Sequence, residues 1–113
     1  MENESLFLKS FGDTPINRVL DFLIVHEEFD YAMKDIARLS GVGYATLKLF
    51  WGALEQAGLV AMTRAVGKAK MYRLADSPVA QSFRKFYWDV VRAQTDEIVA
   101  EAGNGQATLR SRA

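Results

Sequence analysis

The sequence has no cysteine and a single histidine, His26, and these shortages remove whole classes of chemistry. Without thiols there is no disulfide, no thiolate metal site and no cysteine nucleophile. A lone His26 leaves no partner for a histidine metal cluster, and no Ser-His-Asp arrangement is legible. Apolar runs reach only four residues, as in Phe22–Val25, far short of a membrane span. The opening MENES is acidic and polar, unlike a signal peptide, so the expected setting is the cytoplasm. Proline occurs only at Pro15 and Pro78, and both positions read as helix starts. No internal repeat and no low-complexity segment is present.

What remains is a chain of 113 residues, 50% hydrophobic and 25% charged, the composition of one globular domain. Such a chain buries about two-thirds of its unfolded surface, enough for its own core. Its formal net charge of zero hides a segregation. Residues 1–30 carry seven acids against Lys9 and Arg18, whereas residues 31–75 carry seven bases against Asp35 and Glu55. A basic middle third keeps a polyanionic partner open.

Residues 1–12, with Leu6-Phe7-Leu8 and Phe11, read as an N-terminal arm or short strand. Thr14 then caps a helix opened by Pro15. Ile16, Val19, Leu20, Leu23 and Ile24 repeat at helical spacing, and Phe22 and Val25 add a second stripe. A second helix reads from Tyr31 to Ser40, broken by Gly41-Val42-Gly43. A third runs from Tyr44 to Ala57 with Leu47, Phe50, Trp51 and Leu54 inward, and Gly58 caps it. LVAMTRA and KMYRLA then read as strands of a hairpin turning at Gly67, free to take a positive φ. Ser77 and Pro78 open a last helix that can run to Ala102. Along it Val79, Phe83, Phe86, Val90 and Ala93 follow a four-three spacing, which Tyr87, Val91 and Ile98 broaden. That stripe exceeds what one small core needs, so Val79, Phe83, Phe86, Tyr87, Val90, Val91 and Ile98 are the expected dimer interface. Residues 103–113 read as a flexible tail beyond Gly103-Asn104-Gly105.

Helix, helix, turn, helix, hairpin, helix is the plan of a winged helix-turn-helix, a mainly α fold with a small β-hairpin wing (α+β). The domain spans residues 13–76, with a dimerisation helix over 77–102. The turn can be checked sterically. With Met33 as first position, the fifth is the small Ala37 and the ninth is Gly41, suited to a left-handed turn. Ile36, Val42, Leu47 and Phe50 fill the positions that glue the two helices together.

DIARLSGVGYATLKLFWGALEQAGLV followed by MTRAVGKAKMYRL resembles the winged-helix domain of MarR/ArsR-type transcriptional regulators, closest to small archaeal members with a "TPxxRVLDFL" helix. The resemblance covers residues 13–76. It implies a homodimeric, sequence-specific binder of double-stranded DNA, with recognition helix 44–57 in the major groove and wing 64–70 on the backbone. ArsR-type metal sensing uses cysteine and histidine ligands, which this chain does not supply, so neither a metal nor a cofactor is expected.

With the apolar positions turned inward, the outward set of the third helix is Gly43, Tyr44, Ala45, Thr46, Lys48, Leu49 and Gly52. Lys48 can donate to guanine or to a phosphate, Thr46 can hydrogen-bond a phosphate or touch a thymine methyl, and Tyr44 can reach the backbone. Ala45 and Leu49 offer apolar contact, which suits thymine methyls. Gly43 lets the helix start approach a phosphate. The set holds no arginine or asparagine, which shifts weight toward shape and backbone contact. Arg64, Lys68 and Lys70 surround the hairpin tip, with Arg73 either on that surface or paired with an acid. Lys34 and Arg38, one turn apart, can clamp flanking phosphates.

Other features carry less. Gly41-Val42-Gly43 lacks the Gly-Lys-Ser/Thr of a nucleotide loop. Glu27-Glu28 with Asp30 read as a solvated helix end before a cation site. Trp51, Phe83, Phe86, Tyr87 and Trp88 read as packing before a ligand cavity. No acid–base pair or nucleophile constellation supports an enzyme. The readings left beside gene regulation are a winged-helix protein-interaction module and a plasmid or viral replication or partition protein.

Overall fold

The computed structural model describes residues 5–102. Eight elements follow in the order α1 (Leu6–Phe11), α2 (Pro15–Val25), β1 (Tyr31–Ala32), α3 (Met33–Ser40), α4 (Tyr44–Gln56), β2 (Val60–Val66), β3 (Ala69–Leu74) and α5 (Pro78–Ala102). This is the expected winged helix-turn-helix plan. The reading of residues 103–113 as a tail lies outside the described residues.

The helix ends follow the capping chemistry read from the sequence. Thr14 Oγ1 accepts from the Asn17 amide at 3.2 Å, and Pro15 opens α2. Ser77 Oγ accepts from the Ala80 amide at 3.0 Å and donates to the Gly58 carbonyl at 2.5 Å. One hydroxyl thus starts α5 and ties it to the end of α4. Gly67 takes φ 62° in the hairpin turn.

Two segments differ from expectation. Residues 6–11, expected as an N-terminal arm or short strand, form a helix, which Ser5 caps through the Leu8 amide at 3.0 Å. The spacing of Phe7 and Phe11 then puts both rings on α5: Phe7 packs against Phe83 and Tyr87, and Phe11 against Phe86. The second difference is at Tyr31–Ala32, expected as the first residues of a helix. They pair antiparallel with β3, Tyr31 opposite Tyr72 and Ala32 opposite Met71, and α3 begins at Met33. The sheet order is β1-β3-β2.

The core gathers Val19, Leu23 and Ile24 of α2, Ile36 of α3, and Leu47 and Trp51 of α4, closed by Tyr72 and Leu74 of β3. Tyr87 closes it from α5, its hydroxyl donating to Asp21 Oδ1 at 2.5 Å. Burial, and then that hydrogen bond, push the Tyr87 phenol far above its ordinary pKa.

Candidate nucleic-acid interface

The turn between α3 and α4 shows why each constrained position is filled as it is. Ile36, Ala37, Val42 and Leu47 are buried between the helices, and Phe50 is half-buried beside them. Gly41 takes φ 76°, where a side chain is strained. A Cβ there would also lie 2.9 Å from Arg18 Nη1, which donates to the Gly41 carbonyl at 3.3 Å. Arg18 is itself ion-paired with Asp13. The turn is therefore held from α2 by an arginine braced on an acid.

Packing of Leu47, Trp51 and Leu54 inward leaves the predicted outer set facing away from the core. Gly43, Tyr44, Ala45, Lys48, Leu49 and Gly52 are exposed and Thr46 is half-buried. Leu49 is 86% exposed, the most of any large hydrophobic residue described. Gly43 has an extended backbone that any residue adopts, and a Cβ there would make only an ordinary contact with Thr46. It caps α4 without a side-chain hydrogen bond, so the first-turn amides of the helix stay open.

Tyr44 organises the cations around this helix start. The Lys48 ammonium lies 4.7 Å from its ring centroid and the Lys34 ammonium, from α3, lies 5.7 Å away. Tyr44 and Lys34 also line a groove of about 540 Å³ toward the hairpin, shared with Lys68, Lys70, Met33 and Tyr72. The structure thus brings together Lys34, Lys48, Lys68, Lys70 and Tyr44, all singled out in the sequence. Tyr72 was not singled out, because its place in the groove depends on the β1–β3 pairing, and Met33 was read only as the first position of the helix-turn-helix.

The arginines expected beside them are placed differently. Arg64 binds Asp30 through Nε at 2.9 Å and Nη2 at 3.0 Å. Thr63, in the bulge between Met62 and Arg64, donates to the same carboxylate at 2.5 Å. Arg64 and then Thr63 hold the Asp30 carboxyl well below the usual carboxylate range. Arg64 therefore braces the root of the wing instead of standing at its tip. Arg73 alternates with Tyr72 along β3, so it lies on the other face of the sheet, in a cleft with Glu27, Glu28, Asp76 and Arg84. Arg38 pairs with Asp35 at 3.0 Å.

On α5, Tyr87 is buried and Phe83 and Val91 pack on the core of the same chain, because α1 folds onto this helix. Of the expected dimer positions, Val79, Phe86 and Ile98 remain exposed and Val90 half-buried, with Phe11 and Trp88 adding exposed aromatic surface. Trp51 packs edge-on against Tyr72, in a different part of the core from the rings of α5, so the five aromatics considered for a cavity do not converge. His26 stands at the C-cap of α2 with its ring 4.8 Å from Phe22. Glu27 is ion-paired with Arg84 at 2.6 Å. Among the described residues no helix is long and apolar enough to cross a membrane.

No protein-family model and no curated protein matches the sequence. Solved structures do. MepR, a transcription regulator of the Staphylococcus aureus multidrug efflux pump MepA, superposes with a TM-score of 0.63 at 17% identity, over 83% of this chain and 69% of that one. A MarR-family transcriptional regulator from Silicibacter pomeroyi gives 0.57 at 17% identity, over 93% and 78%. The transcriptional repressor BigR from Xylella fastidiosa gives 0.54 at 24% identity, over 78% and 82%. At these identities the likeness is one of fold, and the chain has the winged helix-turn-helix fold of MarR-type transcription regulators.

Proposed function

We propose that this chain is a transcription regulator that binds duplex DNA as a homodimer. In this reading α4 enters the major groove and the β2–β3 hairpin lies on the backbone. The observation that carries it is the convergence of Lys34, Lys48, Lys68 and Lys70 beside the exposed outer face of α4. Four lysines with no acid partner among the described residues, next to open helix-start amides, are what a phosphate backbone selects. Phe11, Val79, Phe86 and Ile98 supply the apolar surface for a second copy. A two-fold axis then places two recognition helices one turn of DNA apart, on an inverted repeat. The neighbours' roles as transcription regulators support the same reading.

The test is fluorescence anisotropy with random-sequence duplexes and with the DNA upstream of its own gene, at several salt concentrations. If all four lysines of both subunits meet phosphates, log affinity falls with log salt at a slope of about −7. Preference for one duplex establishes the regulator, and sedimentation of the complex reports two copies per site. The second reading, a protein-interaction module, is favoured by the exposure of Leu49. Absence of salt-dependent DNA binding would select it.

A further inference from the structure

The first two turns of the outer face of α4 lack the arginine, asparagine and glutamine side chains that ordinarily read bases. The long donor on it is Lys48, and its ammonium lies 4.7 Å from the Tyr44 ring centroid, drawn back along the helix toward Lys34. Thr46 is half-buried. The side chain left standing is Leu49, 86% exposed, with Ala45 one turn before it and nothing within 4 Å of a Cβ at Gly52 one turn after. An exposed leucine in the second turn of a helix whose first residue, Tyr44, carries two lysines suits a surface that is apolar at its centre and anionic at its rim. The major groove offers such a surface where thymines project their C5-methyl groups between two phosphate strands.

Resting on the DNA reading above, we propose that Leu49, seconded by Ala45, selects sites by burying thymine methyls. Lys34, Lys48 and Tyr44 then grip the backbone without regard to sequence. The preferred half-site carries thymine under the centre of α4, and the discrimination is apolar. Lys48, which its sequence position offered equally to guanine or to phosphate, takes the phosphate role.

Deoxyuridine tests this directly, because uracil keeps the pairing and the O4 acceptor of thymine and lacks only the methyl. The tightest binder is selected from a random pool of duplexes and resynthesised with deoxyuridine in place of thymidine. Both forms are then titrated with the wild type, Leu49→Ala and Lys48→Ala. Burying one methyl is worth about fourfold in affinity, so a two-fold-symmetric site loses roughly fifteenfold on the deoxyuridine copy. Leu49→Ala should bind both copies equally, whereas Lys48→Ala should weaken both alike and preserve their ratio. Leu49 is exposed, so its truncation leaves the fold intact. A wild type that prefers the selected duplex over random DNA yet binds both copies within twofold would overturn the methyl readout and leave the DNA reading standing. A deoxyuridine loss that persists in Leu49→Ala would overturn the assignment to Leu49. Absence of salt-dependent binding to any duplex would overturn both readings.

Discussion

The cations of this domain fall into two groups that differ in what surrounds them, and residue type separates them only in part, since Lys85 also holds Asp89. Arg18, Arg38, Arg64, Arg84 and Arg92 each hold a carboxylate, on Asp13, Asp35, Asp30, Glu27 and Asp89. Lys34, Lys48, Lys68 and Lys70 have no acid partner among the described residues and share one side of the helix-turn-helix. The guanidinium fork matches a carboxylate and is spent on fixing the scaffold, as at Arg64, whereas an ammonium is a mobile point charge that meets a phosphate well. The lesson is that the basic middle third of the sequence overstates the free positive surface. Arg38 and Arg64 belong to it by position yet are neutralised in place.

The sharpest way to break this division is to remove the lysine side outright. Replacing Lys34, Lys48, Lys68 and Lys70 by alanine should lower affinity for duplex DNA by about a thousandfold or more at low salt and flatten the salt dependence. Arg38→Ala, measured by the same anisotropy titration, should stay within about threefold. Comparable losses from both would erase the distinction.

The arginine side should instead report in stability. Gly41→Ala forces a strained φ and crowds Arg18, so thermal unfolding should show a loss of about 1–2 kcal/mol, a fall of roughly 5–15 °C. Gly43→Asp separates stability from binding at a single position. The backbone there accepts any residue, and a capping carboxylate should stabilise the domain by a few tenths of a kcal/mol. On the DNA reading it also sets a negative charge against a phosphate, so affinity should fall about tenfold. A variant both more stable and tighter-binding would remove the helix start from the interface.

The smallest effect concerns Asp30. Its carboxyl is held below the ordinary value by Arg64 and Thr63, while in the unfolded chain it takes its proton near pH 4. As pH falls below about 4 the unfolded state binds that proton first, and this contribution to stability is lost. Asp30→Asn should flatten the acid side of the stability–pH profile while leaving the neutral-pH salt slope of DNA binding unchanged.

Much of the fold could be read directly from the residues. Helices α2, α4 and α5 begin where Thr14-Pro15, Gly43-Tyr44 and Ser77-Pro78 predict, and the hairpin turns at Gly67. The outer face of α4 also followed from its helical period, since the positions not taken by Leu47, Trp51 and Leu54 had to point outward. Strand β1 was not legible, because its two residues acquire their identity only by pairing with Tyr72 and Met71 of β3. Helix α1 was misread because a six-residue segment carries too little periodicity to separate helix from strand. Tyr87 reads as an interface residue along α5 alone, yet it is buried once α1 and Asp21 of α2 close around it.

The sequence by itself determined what is settled within a few residues: the caps, the left-handed turn at Gly41, the hairpin turn at Gly67 and the inward stripe of α4. These depend on backbone sterics and on side chains one helical turn apart. Only the tertiary structure decided which cations are neutralised and which stand open. Asp30 meets Arg64 across 34 positions and Glu27 meets Arg84 across 57. Electrostatic pairing falls off with distance in space, and for such pairs that distance exists only once the core has packed.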